Sequence, residues 1–231
     1  MKDIPKLFVA IDHNDINIAK KIIENLPSKK CGIKVGKELF TACGPEIIDW
    51  IKMKGFRIFL DLKYHDIPNT VKKACFVASE MGVSILNVHA LGGHDMMMSA
   101  REGVDQSNNN PYLIAVTLLT SMDSNILKEI GFTCSIEEQI TNLAISASQS
   151  NLDGIVCSAN DIAHIKKSLP ENFLYVTPGI RFSEDPNNDQ KRITTPLEAV
   201  KNGSNILVIG RSITEAKNPE VTIDNILNLI D

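Results

Sequence analysis

The stretch RIFLDLKYHDIPNTVKKACFVASEMGVSILNVHA, residues 57–90, holds one strand–helix–strand unit and decides how the rest of the chain is read. RIFLDLKY (57–64) is apolar and aromatic enough for a strand. In NTVKKACFVASEMG, Val71, Ala74, Cys75 and Ala78 recur at i, i+3, i+4 and i+7, the period of an amphipathic helix, and Gly82 is placed to end it. Pro68 suits the first turn of that helix. SILNVHA (84–90) reads as the next strand. Between the first strand and the helix, DLKYHDIPNT places carboxylate, ammonium and carboxylate at Asp61, Lys63 and Asp66. Charged side chains are seldom buried without partners, so a strand end loaded in this way needs a reason.

The same alternation extends in both directions. Strand-like runs occur at 6–12, 31–36, 57–64, 84–90, 112–119, 154–159, 173–180 and 205–210, with helical periods between them. Ser135 and Glu138 have capping-box spacing before the helix 135–149. Asn160 is the expected N-cap of the next helix and Pro170 its stop. Near-continuous apolar strands alternating with amphipathic helices indicate a parallel sheet covered on its outer face. Eight such units in 231 residues, with no break in composition, predict an α/β fold: a single-domain (β/α)8 TIM barrel. An open doubly wound sheet is the competing architecture.

Hydrophobic content of 43% and charged content of 23% are those of an ordinary globular protein. A net charge of −4 and the lack of a basic run argue against a nucleic-acid partner. No apolar run approaches the roughly 18–20 residues of a membrane span, and the apolar stretch near the N-terminus is too short for a secretory signal. Cys31, Cys43, Cys75, Cys134 and Cys157 are odd in number and scattered, without CxxC, so a disulfide framework or zinc site is not expected. They read as reduced, mostly buried thiols of a cytoplasmic protein.

Barrel active sites lie at the C-terminal strand ends, and side chains alternate faces along a strand. Asp12 shares a face with Ala10, Lys34 with Gly32 and Gly36, and Asp61 and Lys63 with Phe59. Asn87 and His89 follow the same pattern on the fourth strand. The opposite face carries Val9, Ile11, Ile33, Val35, Leu60 and Leu62, which suit packing against helices. Any one of these polar residues could be a loop-edge salt bridge, but repetition on four strands favours a functional mouth. Two lysines there raise the possibility of Schiff-base chemistry, which needs a neutral amine. Acids near Lys63 and Lys34 favour the ammonium form, and so a positioned proton donor.

DLKYHDIPNTV resembles the signature of the orotidine 5′-phosphate decarboxylase family, in its bacterial form. VAID with Asp12, KVG with Lys34, NVHA (87–90), LTSM (119–122), TPGIR (177–181), DQKR (189–192) and VIGRSIT (208–214) extend the resemblance over the whole chain. It implies decarboxylation of orotidine 5′-phosphate to UMP and carbon dioxide without metal or organic cofactor. Lys63 would protonate C6 of the pyrimidine, and Asp61 would sit beside the departing carboxylate in a Lys34–Asp61–Lys63–Asp66 network. Asp66, Ile67 and Thr70 would reach the partner's site in a homodimer. Asp12 and Lys34 would hold ribose hydroxyls, with Thr120 and Ser121 at the base.

In VIGRSITEA, Gly210 closes a strand and Arg211 opens a helix, which reads either as a simple turn or as a place where backbone N–H groups and a guanidinium favour an anion. Such an anion site commonly follows strand eight of a barrel. RFSEDPNNDQKRITT (181–195) has no apolar period and by composition is a surface loop. The resemblance makes it a lid, with Gln190 bridging phosphate and base and Arg181 organising the phosphate end. His65 reads as a structural donor and His89 as packing under the base. Trp50 and Phe56 read as outer-layer packing. A sugar-phosphate aldolase or decarboxylase of the same barrel type, and a nucleotide-binding protein without catalysis, are the alternatives.

Overall fold

A computed structural model describes residues 4–182 and 194–230. Eight parallel strands close into a barrel in sequence order: β1 Leu7–Ile11, β2 Gly32–Gly36, β3 Ile58–Tyr64, β4 Ile85–His89, β5 Tyr112–Val116, β6 Gly154–Val156, β7 Leu174–Thr177 and β8 Ile206–Ile209. β8 returns to β1, with Leu7 opposite Leu207 and Val9 opposite Ile209. Closure removes the sheet edges, and the open doubly wound alternative is thereby excluded.

The two strand faces separate as alternation requires. Phe8, Ala10, Phe59, Ile85, Ile114, Val176, Ile206 and Val208 fill the barrel interior, where the Phe8 and Phe59 rings meet edge to face at 6.2 Å. Val9, Ile11, Ile33, Val35, Leu60, Leu86 and Val88 belong to the larger core between strands and helices, with Leu62 packed against it.

The helix Pro68–Glu80 begins with its proline in the first turn, where a missing N–H costs nothing, and buries Val71, Cys75 and Ala78. Ala74 is half-buried. Gly82 follows at φ +74°, a conformation that suits glycine after a helix end. Ser135 accepts the Glu138 N–H and caps the helix Ile136–Gln149. The next cap differs from expectation. Ser158, not Asn160, caps the helix Ala159–Ile165, because its side chain reaches an orphan N–H while Asp161 returns to the Ser158 N–H as a full capping box. A short 3-10 turn, Lys166–Ser168, ends that segment before Pro170 is reached.

None of the five cysteines is in a disulfide among the described residues; Cys31, Cys75 and Cys157 are buried, and Cys43 and Cys134 partly so. Phe56 is in the outer core, and Trp50 packs against it with the Lys20 and Lys54 ammonium groups over its ring. Among the described residues no helix is long and apolar enough to cross a membrane.

Candidate active site

Three adjoining strands deliver the charged groups. The ladder sets Ala10 beside Lys34, Lys34 beside Phe59 and Gly36 beside Asp61. At the strand ends Asp12 Oδ1 lies 3.1 Å from Lys34 Nζ, which lies 3.4 Å from Asp61 Oδ2. Asp61 Oδ1 is 2.6 Å from Lys63 Nζ. The result is an alternating chain of charge: Asp12, Lys34, Asp61, Lys63. Gly36 leaves room for it, since a Cβ there would stand 2.9 Å from Lys34 Nζ and 3.0 Å from Asp12 Oδ1.

Burial pushes the Asp61 carboxyl up. The Lys34 and Lys63 ammonium groups, with hydrogen bonds from Lys63 and Asn87, outweigh that effect and hold its pKa below the ordinary carboxylate value. Asp61 is therefore a fixed anion between two cations.

β3 does not run regularly to its end. Leu60 pairs with Leu86 and Tyr64 with Val88, so four steps on β3 oppose two on β4. Within this bulge Lys63 takes φ +53°, the left-handed region that a residue with a Cβ occupies at a cost of about 1–2 kcal/mol. Its N–H donates to Asn87 Oδ1 at 2.7 Å instead. Strain of this kind gathers at functional positions, where the surroundings enforce it.

These groups open onto a cavity of about 800 Å³. Asp12, Lys34, Asp61 and Lys63 line it on one side of the ring, and Thr120 and Ser121 line it after β5. Arg181 follows β7, and Gly210 and Arg211 follow β8; all three also face the cavity. Sequence reading named these nine residues, and the fold gathers them. His13 and Glu215, which no sequence pattern singled out, share the lining, as does Cys157, expected only as a buried thiol. Adjacency to Asp12 was the available signal for His13, and one helical turn beyond Arg211 that for Glu215.

Asp66, Ile67 and Thr70 stand elsewhere. They are exposed on the run from β3 into the helix Pro68–Glu80, and Asp66 accepts the Ile67 N–H at 2.6 Å. Among the described residues the charge array runs from Asp12 to Lys63. Gln190 and most of the expected lid fall in 183–193, outside the described residues. The two ends of that loop meet where Ile180 bridges Thr194 and the Arg181 N–H donates to the Thr194 carbonyl at 3.1 Å.

His65 stacks on His89 with ring centroids 5.5 Å apart, and His89 accepts the Leu91 N–H. Burial, followed by the charges of His65, Lys63 and Lys37, lowers the His89 pKa to about 4. Among the described residues no group of three or more His, Cys, Asp or Glu side chains is arranged to hold a metal.

A sequence model of the orotidine 5′-phosphate decarboxylase / HUMPS family matches residues 5–226. The chain belongs to this family. It is 48% identical over 222 residues to the orotidine 5′-phosphate decarboxylase of Saccharophagus degradans, covering 96% of this chain and 93% of that one. It is 47% identical to the enzyme of the same name from Idiomarina loihiensis, with 98% of each chain covered. The crystal structure of the Lactobacillus acidophilus orotidine 5′-phosphate decarboxylase superposes with a TM-score of 0.88 at 35% identity, covering 99% of this chain and all of that one.

Proposed function

We propose that the chain decarboxylates orotidine 5′-phosphate to UMP and carbon dioxide, a step of pyrimidine nucleotide synthesis. The observation that carries this reading is the Asp12–Lys34–Asp61–Lys63 array at one wall of a nucleotide-sized cavity. As the bond from C6 to the carboxylate breaks, its electron pair stays on C6, an sp2 carbon with no carbonyl placed to delocalise it. The Lys63 ammonium stabilises that charge and donates its proton to C6. Water then reprotonates the amine. A preorganised cation does this without metal or organic cofactor.

Asp61 faces the substrate carboxylate and keeps the two lysines apart in register. Asp12 and Lys34 hold the ribose hydroxyls, and Thr120 and Ser121 the base. Arg181, Gly210 and Arg211 take the phosphate, a position after strands seven and eight that suits a barrel. Binding energy from the phosphate is then available to stabilise the transition state. Ile67 at 68% exposure, with the exposed Phe76 and Val77 on the following helix, supports a homodimer in which Asp66, Ile67 and Thr70 complete the partner's site. Five cysteines outside any disulfide among the described residues fit a cytoplasmic setting.

The test is loss of orotidine 5′-phosphate absorbance with matching UMP formation, with and without a chelator. Turnover unaffected by chelation and lost in Lys63→Ala is the expected result. No turnover by the wild-type chain would sink the proposal.

A further inference from the structure

We infer that Asn87 is a positioning residue for this reaction: one buried amide locks the Lys63 backbone and the Asp61 carboxylate together, and so aims the proton donor. The inference rests on the decarboxylase reading and adds to it a group that does not line the cavity.

Asn87 comes from β4, and its side chain is fully buried. Its Oδ1 accepts the Lys63 N–H at 2.7 Å, and its Nδ2 donates to Asp61 Oδ1 at 2.7 Å. The two ends of the amide are thus matched to a donor and an acceptor two residues apart. A flipped amide would set donor on donor and acceptor on acceptor. The contact also falls at the bulge, where the change of register lets β3 gain two residues on β4. The Lys63 N–H turns to the Asn87 side chain there, and Lys63 holds φ +53°. Without the amide, a partly buried N–H would lose its acceptor and the left-handed turn would lose a restraint. Asp61 Oδ1 receives both Asn87 Nδ2 and Lys63 Nζ, which leaves Oδ2 facing Lys34. An apolar side chain of this size supplies neither bond, and an aspartate supplies only the acceptor.

The experiment uses Asn87→Ala and Asn87→Asp in the full chain, reading kcat and KM across pH together with hydrogen exchange at the Lys63 amide. Asn87→Ala should lower kcat roughly 10²-fold, as expected for a misplaced catalytic group, and leave KM nearly unchanged. Its acid limb should move to higher pH, because ionised Asp61 loses a donor. The Lys63 amide should exchange faster. Asn87→Asp should be nearly inactive at neutral pH and recover as the pH falls and the two carboxyls come to share a proton. Wild-type kcat, acid limb and Lys63 exchange in Asn87→Ala would overturn the inference, even with a lower melting temperature. Should Asn87→Ala fail to fold, low activity in Asn87→Asp that does not rise on acidification overturns it equally. An inactive wild type would count against the decarboxylase reading alone, since Lys63 exchange tests the positioning without turnover.

Discussion

Lys63 Nζ lies 2.6 Å from Asp61 Oδ1, and the two residues are only two positions apart on one strand. An ordinary strand would set such side chains side by side, both normal to the sheet. Here the left-handed backbone at Lys63 lies between the two charged groups, so the ion pair and the backbone strain form one structural unit.

That unit separates chemistry from stability. Lys63→Ala and Lys63→Gly should each lower kcat on the order of 10⁴-fold, because both remove the cation and the proton. Lys63→Gly should be the more stable of the two by about 1 kcal/mol, since glycine takes a positive φ without a Cβ penalty. Urea unfolding of the pair measures the difference, and equal midpoints would remove the strain argument.

Gly36→Ala should disturb the site and spare the fold. The added methyl meets the side-chain ends of Lys34 and Asp12 rather than backbone, and the Gly36 backbone is extended, which any residue tolerates. Melting temperature should hold, while kcat/KM falls roughly tenfold through displacement of the charge array. Steady-state kinetics and a thermal melt on one preparation decide it.

Arg211→Ala should discriminate between nucleotide and nucleoside. Losing a charge-assisted phosphate contact should raise KM for orotidine 5′-phosphate roughly 10²-fold. Turnover of orotidine, which lacks the phosphate, should be unaltered. A similar loss on both substrates would place Arg211 outside the phosphate site.

His89 gives a pH signature. Burial and the neighbouring His65, Lys63 and Lys37 hold its folded pKa near 4, against an ordinary 6.5. Between those values the unfolded chain binds the proton and the folded chain does not, so stability falls as the pH drops through this window. His89→Asn keeps an acceptor for the Leu91 N–H but cannot titrate. Its acid loss of stability should be shallower than that of the wild type, and parallel curves from pH 7 to 4 would contradict the assignment.

Mixing Lys63→Ala chains with Asp66→Asn chains tests the shared site. If Asp66 acts across a dimer interface, each heterodimer carries one site with both defects and one with none, so activity returns. No recovery despite verified subunit exchange would assign Asp66 to its own chain.

Alternation of period two places Asp12, Lys34, Asp61 and Lys63 on the inner face from sequence alone, because burial on both sides of a strand is written residue by residue. The helix from Pro68 and its glycine stop were legible for the same local reason. Ser158 in place of Asn160 shows the limit of that reading, since several polar residues compete for one cap and geometry selects among them. Distances were beyond local reading. Lys34 meets Asp12 from 22 positions away and Asp61 from 27, and only the register of parallel strands fixes those separations. The bulge that turns Lys63 to φ +53°, and the Asn87 amide that meets it there, depend on how β3 and β4 pair. The chain thus carries its composition of charges locally, while their geometry arises only when the barrel closes and sets the strands at fixed register.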